Sequence, residues 1–364
     1  MRHCIGPRRW EKIRSAWPDS CTLFRFCSAR ENSTLRLVID FVFVHNSRMS
    51  KNEITPDLLS ACLQRHFGEA SKIRLEAVRT GKFNSSFFAT VDGRELVLRI
   101  APPKDSVLLF YERDMMKQEP EIHDLLLMGP RIPVPPIIVF DESHELVDRD
   151  FLIMERLPGH PMCEATACDE EAIFQEVGAL LADVHRLTAA QYGYLGPHRP
   201  MTPQPNWNDA FAIMWRKLLD DIVCVGQYSD EDRTFLLKLL DHHLPVFSRQ
   251  VPASLLHMDI WQQNILISEH GVLTGLIDWD RALWGDPEIE FAVLDYCGIS
   301  TPAFWEGYGQ ARDASPEARI RNTFYLLYEL QKYIVIEQGR NNDSHKARQY
   351  KQQAFQCAQH LLSS

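Results

Sequence analysis

The hydrophobic pattern of the chain changes at Pro158-Gly159, and this change is the strongest constraint on its fold. Before it, short segments with the composition and alternation of β-strands predominate, with one helical segment between residues 118 and 127. After it, apolar residues recur every three or four positions, which is the period of an amphipathic helix. Strands followed by helices predict an α+β fold with two lobes, a small antiparallel β-sheet lobe and a mainly helical lobe.

The predicted elements follow from these periods. Strands are expected at residues 73–78, 86–91, 95–100, 137–140 and 151–154, and helices at 169–187, 207–224, 230–243, 317–338 and 344–362. Asp92-Gly93 is a hairpin-turn sequence, so the first three strands are expected to form an antiparallel meander. A short helix is expected before the first strand. Within the helical half, residues 265–267 and 272–277 predict a small β-hairpin that turns at Gly271.

The first 48 residues differ from the rest in charge. They contain nine Lys or Arg and four acidic residues, a net charge of +5, and the formal −10 of the whole chain then leaves −15 for residues 49–364. We expect residues 1–48 to be a disordered or dispensable extension, with a mitochondrial presequence as the alternative. The sheet lobe is then expected at residues 49–157 and the helical lobe at residues 158–364.

Composition excludes several classes of protein. The negative net charge and the absence of a Lys- and Arg-rich block argue against a nucleic-acid partner. The longest apolar run near the N-terminus, residues 37–44, contains Asp40 and is far shorter than the ~20 residues of a membrane helix. Nine scattered cysteines without a CxxC pair are typical of reduced thiols. We therefore expect a cytoplasmic protein with no membrane partner.

Polar residues flank the predicted hairpin of the helical half. His257, Asp259 and Asn264 precede its first strand, and Asp278 follows its second strand. The turn at Gly271 brings Asp278 back beside the other three. Phosphoryl transfer needs a carboxylate that orients the attacking hydroxyl and oxygen ligands that hold Mg²⁺. Each half alone would more often be a surface turn, but together they indicate a phosphotransfer site.

In this arrangement the sequence resembles the aminoglycoside phosphotransferase family, which shares the protein-kinase-like fold with choline kinases and fructosamine kinases. Residues 257–264 match the family's HxDxxxxN segment, and Asp278 matches its Ile-Asp motif. Residues 285–292 resemble its GDPxxDLA segment, with Glu290 where Asp is usual. The resemblance covers about residues 55–335. The hygromycin B phosphotransferase type is similar in its Val-Leu-Arg and Ile-Asp-Trp segments.

The resemblance implies an ATP-dependent kinase, with GTP as an alternative nucleotide. Asp259 takes the place of the catalytic carboxylate, which orients the acceptor hydroxyl or accepts its proton. Asn264 and Asp278 take the places of the Mg²⁺ ligands. His257 is expected to brace the backbone of this segment.

The resemblance also implies the residues that hold the nucleotide. Gly81 and Ser85 belong to the loop over the phosphates. Arg99 stands where the family usually has a lysine, and Arg keeps the charge but differs in reach and geometry. Glu119 is expected to pair with that cation, with Glu121 as the alternative.

Two residues are expected to contact the base of the nucleotide. Met154 and Glu155 lie in the segment that resembles the hinge between the lobes. Its backbone would meet the adenine edge.

The acceptor is expected to be the hydroxyl of a small molecule, either aminoglycoside-like or an amino-alcohol or sugar metabolite. Acidic side chains of the helical lobe would suit a cationic acceptor; the candidates are Asp209, Asp220, Asp221, Glu290 and Asp295. A catalytically silent pseudokinase or nucleotide-binding regulator is the alternative. A protein kinase is disfavoured, because Gly285 follows Asp278 too soon for an activation segment. A monomer or a homodimer is expected.

Overall fold

The computed structural model describes residues 54–78, 83–129 and 132–362. A five-stranded antiparallel sheet lies in the first part of the chain, and helices dominate the rest. The predicted α+β, protein-kinase-like fold class is confirmed. The expected extension at residues 1–48 and the loop residue Gly81 lie outside the described residues.

Among its described residues, the sheet lobe has two α-helices, five strands and a 3-10 turn, Met115–Gln118. The helices and strands are α1 (Pro56–Phe67), β1 (Ile73–Ala77), β2 (Ser85–Val91), β3 (Arg94–Ile100), α2 (Glu119–Met128), β4 (Ile137–Asp141) and β5 (Phe151–Glu155). The spatial order of the strands is β1-β2-β3-β5-β4, and every neighbouring pair is antiparallel. The predicted meander is the β1-β2-β3 half of this sheet.

The alternation of side chains along β3 places one charged residue in the interior. Leu96, Leu98 and Ile100 are fully buried on one face, where they pack with the apolar side of α1. Successive side chains of a strand point to opposite faces, so Arg99 lies on the other face. There it is paired in register with Leu152 of β5. This places a buried guanidinium on the face of the sheet away from α1.

The helical lobe follows β5. Its elements are β6 (His160–Pro161), α3 (Glu170–Val184), β7 (Thr188–Ala189), α4 (Trp207–Cys224), α5 (Asp230–His243), β8 (Ala253–Leu256), β9 (Ile265–Ile267), β10 (Leu273–Leu276), β11 (Leu283–Gly285), α6 (Pro287–Cys297), α7 (Pro302–Tyr308), α8 (Pro316–Val335) and α9 (Ser344–Leu361). The last turn of α8 continues as a π-helix, Ile336–Arg340. Within the described residues, no helix is long and apolar enough to cross a membrane.

The core of the helical lobe forms between α4 and α8. Trp207, Phe211 and Trp215 recur every fourth residue along α4, and each is at most 1% exposed. The indole nitrogen of Trp207 donates to the Tyr325 hydroxyl of α8 at 2.7 Å, which satisfies two buried polar groups at once. This packing fixes α8 against the rest of the lobe.

The sequence pattern did not indicate α6 and α7, which are short. Both begin with a capping residue followed by proline: Asp286 caps α6, and Thr301 caps α7. A cap followed by proline is a start signal for a helix, so it could have identified both. The predicted helix 317–338 was too long, because regular α-helix ends at Val335.

Gly307 of α7 allows the backbones of α3 and α7 to touch. A Cβ at this position would lie 1.8 Å from the carbonyl oxygen of Gln175. We expect Gly307→Ala to lower the free energy of unfolding by about 2 kcal/mol or more, because the helices must separate to admit the methyl group. Denaturant unfolding measures this. The exposed neighbour Glu306→Ala is the matched control and should change stability by less than about 0.5 kcal/mol; equal stabilities of the two variants would contradict the close packing.

Candidate active site

The segment between β8 and β9 is held in place by His257. The ring is fully buried, and its Nδ1 accepts a hydrogen bond from the backbone N–H of Asp259 at 3.2 Å. Nε2 therefore carries the proton and donates to the carbonyl oxygen of Ile277 at 2.9 Å. Burial lowers the pKa of His257, which fits this neutral tautomer. The predicted bracing contacts of His257 are present.

Glu290 holds the same segment from behind. Its Oε1 accepts from the backbone N–H of Met258 at 2.6 Å, and its Oε2 lies 2.8 Å from Nε2 of His185. Met258 has a φ of 66°, in the left-handed region that non-glycine residues rarely adopt. The fully buried Glu290 stabilises that conformation immediately before Asp259. Glu290 was one of the acids expected to contact the acceptor substrate. The structure contradicts this expectation, because Glu290 is fully buried and both of its oxygens are bonded inside the protein.

Asp259 lies at the end of this supported turn. Its Oδ1 accepts from Nη1 of Arg281 at 2.6 Å, and its Oδ2 lies 3.2 Å from the amide nitrogen of Asn264. Burial alone would raise the pKa of Asp259, but the charges of Arg281 and Lys332 outweigh it and hold the pKa below its ordinary value. A quarter of the side chain is exposed. Asp259 is therefore an ionised carboxylate with access to solvent.

Arg99 lies at the centre of a second charged cluster. Its Nη1 donates to Oε2 of Glu119 at 2.6 Å, and its Nη2 donates to Oδ1 of Asp278 at 2.6 Å and to Oδ2 of Asp280 at 3.2 Å. Arg99 was expected to pair with an acid of α2, and it contacts Glu119, which is fully buried. The fork of a guanidinium binds two carboxylates at once, which the single nitrogen of a lysine does less readily.

This cluster has an excess of negative charge. Three carboxylates surround one guanidinium. Burial, together with the charge of Asp278, raises the pKa of Glu119 to about 7 despite the opposing effect of Arg99. Burial and the charge of Asp278 also raise the pKa of Asp280 well above its ordinary value. The site thus disfavours full ionisation of its own acids, and a divalent cation would relieve this.

Asn264 and Asp278 can supply oxygen ligands to such a cation. The β9-β10 hairpin joins them, since the N–H of Ile277 donates to the backbone oxygen of Asn264 at 3.0 Å. The side-chain nitrogen of Asn264 donates to the backbone oxygen of Asp259 at 2.9 Å. The side-chain oxygen of Asn264, Oδ1, is left for another partner. Asp278 is 38% exposed, the most exposed acid of the cluster. One carboxylate and one amide oxygen fit Mg²⁺, which takes its other ligands from water and phosphate.

The other expected nucleotide-binding residues, Ser85, Met154 and Glu155, do not join the Arg99 cluster. Ser85 is the first residue of β2 and pairs in register with Ile100. Met154 is 5% exposed and packs on the same face as Leu152. The Glu155 carboxylate accepts from Nε of Arg94 at 3.0 Å, and its backbone N–H donates to Pro136. The backbone N–H and one carboxylate oxygen of Glu155 are thus engaged within the sheet.

Four charged or polar residues of the site were missed as contributors. Asn84 donates to Oδ2 of Asp280 at 3.1 Å, and Arg281, Glu329 and Lys332 lie next to Asp259 or to its partners. Arg281 could have been found from its place three residues after Asp278. The two α8 residues carry no local signal, because only the fold brings the helix to Asp259.

The other acidic candidates for an acceptor surface have partners within the protein. Asp220 accepts from Arg233 at 2.6 Å, and Asp295 accepts from both Nη atoms of Arg312. The remaining two join backbone or capping contacts: Asp221 with Phe110, and Asp209 with Asn206. Each of these four acids therefore has a hydrogen-bonding or ion-pair partner within the protein.

Comparisons with known proteins agree with this geometry. Hygromycin-B 4-O-kinase of Escherichia coli is 23% identical over 259 residues, covering 68% of each chain. A "probable ketoamine kinase" of Vibrio parahaemolyticus is 28% identical over 228 residues, covering 58% of this chain and 71% of the other. A thermostable variant of aminoglycoside phosphotransferase APH(4)-Ia, in ternary complex with AMP-PNP and hygromycin B, superposes with a TM-score of 0.60 at 19% identity, covering 83% of this chain and 98% of the other.

The fold and the charged site together define a phosphotransferase with a protein-kinase-like fold. The model of the APH family, described as "Phosphotransferase enzyme family", matches residues 74–321. The chain belongs to this family. The predicted enzyme class, a small-molecule phosphotransferase, is confirmed at this level.

Proposed function

We propose that the protein transfers the γ-phosphoryl group of ATP to a hydroxyl of a sugar-type small molecule, with Mg²⁺ bound at Asn264 and Asp278. The observation that carries this is the placement of an ionised, solvent-accessible Asp259 beside Asn264, with Asp278 one hairpin away and bonded to Arg99. These are the parts that phosphoryl transfer requires. GTP remains an alternative donor.

The proposed reaction uses Asp259 as the group that orients the acceptor hydroxyl. The hydroxyl oxygen attacks the γ-phosphorus, a new P–O bond forms, and the bond from the γ-phosphorus to the β–γ bridging oxygen breaks. The nucleoside diphosphate leaves with that electron pair. The hydroxyl proton passes to the Asp259 carboxylate and then to solvent. The low pKa of Asp259 keeps it ionised and able to accept this hydrogen bond.

The Arg99 cluster is proposed to receive the phosphates. Mg²⁺, when held at Asp278 and Asn264, would supply neutralisation of the phosphate charge. Asp278 and Asn264 would hold the ion through oxygen atoms, and Arg99 would remain paired with Glu119 while its second nitrogen faces the phosphates. Positioning and charge neutralisation supply most of the catalysis in such a site.

A sugar-type acceptor is favoured over a polyamine for a local reason. The side chains that contact Asp259 or its partners include the cations Arg281 and Lys332, and the candidate acids of the lobe are engaged elsewhere. An ammonium group next to the reacting hydroxyl would find no excess negative charge in this network, because Arg281 and Lys332 already balance Asp259 and Glu329. The relatives named as ketoamine kinases support a sugar-derived acceptor, and the relative named hygromycin-B 4-O-kinase supports transfer to a hydroxyl oxygen.

An acceptor screen tests this function. The purified chain is incubated with Mg²⁺ and ATP or GTP, and nucleotide consumption is measured with neutral sugars, ketoamines, aminoglycosides and choline-like amines. We expect turnover that depends on a sugar or ketoamine acceptor and is lost when Mg²⁺ is chelated. Tight nucleotide binding without turnover on any acceptor would favour a pseudokinase instead, and turnover confined to choline-like amines would contradict the sugar-type acceptor.

A further inference from the structure

The Asp259 carboxylate belongs to a network of four charged side chains. Besides the 2.6 Å bond from Arg281, Nζ of Lys332 lies 3.8 Å from the same oxygen, Oδ1. Glu329 closes the network, with Oε1 at 2.5 Å from Lys332 Nζ and Oε2 at 3.9 Å from Arg281 Nη2. Two cations and two carboxylates balance in charge. Removal of one member would leave an uncompensated charge in a poorly solvated place.

Arg281 is held in one orientation within this network. Its side chain is 9% exposed, and the Tyr111 ring lies beneath the guanidinium with 5.4 Å from Cζ to the ring centroid. It belongs to the 3-10 turn Trp279–Arg281, directly after Asp278. The same short segment therefore supplies both a proposed metal ligand and the partner of Asp259.

The two oxygens of Asp259 have different surroundings. The cations near Oδ1, Arg281 and Lys332, are both almost fully buried. Oδ2 lies 3.2 Å from the Asn264 amide, and the side chain is a quarter exposed. Oδ2 is thus the oxygen away from the closest contacts of the two buried cations.

We propose that Arg281 is a positioning residue for phosphate transfer: it holds Oδ1 of Asp259 so that Oδ2 is presented to the acceptor hydroxyl. Glu329 in turn contacts Arg281, and Lys332 bridges Glu329 and Asp259, which connects the alignment of Asp259 to α8. This inference rests on the proposed function. Rotation of an unheld Asp259 side chain would misplace the accepting oxygen, and misplacement of about 1 Å is sufficient to slow a reaction by about 10²-fold.

Kinetics of Arg281 variants test the role. Arg281→Met removes the charge and keeps much of the stem, and Arg281→Lys restores a cation. We expect Arg281→Met to lower kcat by about 10- to 100-fold while KM for nucleotide and acceptor stays within about threefold, because the missing contact is to Asp259 and not to either substrate. Arg281→Lys should recover part of kcat. The same variants are also compared with the wild-type enzyme in nucleotide hydrolysis, in which water takes the place of the acceptor hydroxyl.

A double-mutant cycle separates positioning from a general structural effect. If Arg281 acts through Asp259, adding Arg281→Met to Asp259→Asn should not lower the residual rate further. Arg321→Met is the matched control, because Arg321 also lies in a buried pair, with Glu288 at 2.6 and 3.0 Å, and belongs to the same helix α8 as Glu329. It should lower stability and leave kcat of the folded enzyme within about twofold.

Three outcomes would overturn the inference. If Arg281→Met retained the wild-type kcat, the contact between Arg281 and Asp259 would not contribute to phosphate transfer. Equal losses from Arg281→Met in the wild-type and Asp259→Asn backgrounds would show that Arg281 acts elsewhere. If the wild-type chain turns over no nucleotide on any acceptor, water included, the proposed function itself fails, and the role of Arg281 fails with it.

Discussion

Asp259→Asn is expected to lower kcat for phosphate transfer by about 10³-fold, within the range of about 10² to 10⁴ that a positioned acid or base contributes. The amide has nearly the shape of the carboxylate, but it cannot accept a proton and it attracts the acceptor hydroxyl less strongly. KM for the nucleotide should change little, because Asp259 is not among the proposed ligands of the phosphates. Steady-state nucleotide consumption with a radiolabelled γ-phosphate is sensitive enough to measure the residual rate.

A surface carboxylate supplies the control for this substitution. Asp241 is exposed near the end of α5, and Asp241→Asn should keep wild-type kcat. Circular dichroism and the thermal midpoint show whether each variant is folded. A folded Asp259→Asn enzyme with a kcat within about threefold of the wild-type value would remove Asp259 from the mechanism.

The sequence predicted the parts of this site that are close together along the chain. His257, Asp259 and Asn264 lie within one segment, and the hairpin turn brings Asp278 back by local geometry alone. The pairing of Arg99 with Glu119 was suggested by the resemblance to the phosphotransferase family, and the two side chains are in contact. Local pattern alone therefore predicted the charged groups whose neighbours are fixed by a turn.

The residues that sequence did not predict depend on long-range packing. Lys332 and Glu329 reach Asp259 and Arg281 because α4 and α8 pack through Trp207 and Tyr325, a contact between residues far apart in the chain. The surroundings of the acidic acceptor candidates are a second example. Their charge is visible in sequence, but the arginines and backbone groups that engage them are not. Only the assembled fold shows which charges are already paired.

The second large effect is expected at Arg99. Arg99→Met would leave Glu119, Asp278 and Asp280 together without their shared cation, and two of these acids are at most 5% exposed on their side chains. We expect the free energy of unfolding to fall by about 3–5 kcal/mol, the loss typical when one partner of a buried ion pair is removed. We also expect kcat/KM for the nucleotide to fall by about 10²-fold or more, because the cation that holds Asp278 and that we propose to face the phosphates is lost.

Two comparisons make the Arg99 result interpretable. Arg99→Lys restores the charge but has one nitrogen for Glu119 and Asp278, which Arg99 contacts with two, so its losses should be smaller than those of Arg99→Met. Arg94→Met removes a half-exposed arginine from the same strand, where it pairs with Glu155, and should cost less than about 1 kcal/mol. Denaturant unfolding and nucleotide titration measure both quantities. If Arg99→Met were as stable and active as Arg94→Met, the three acids would not depend on Arg99, and the cluster could not be the phosphate site.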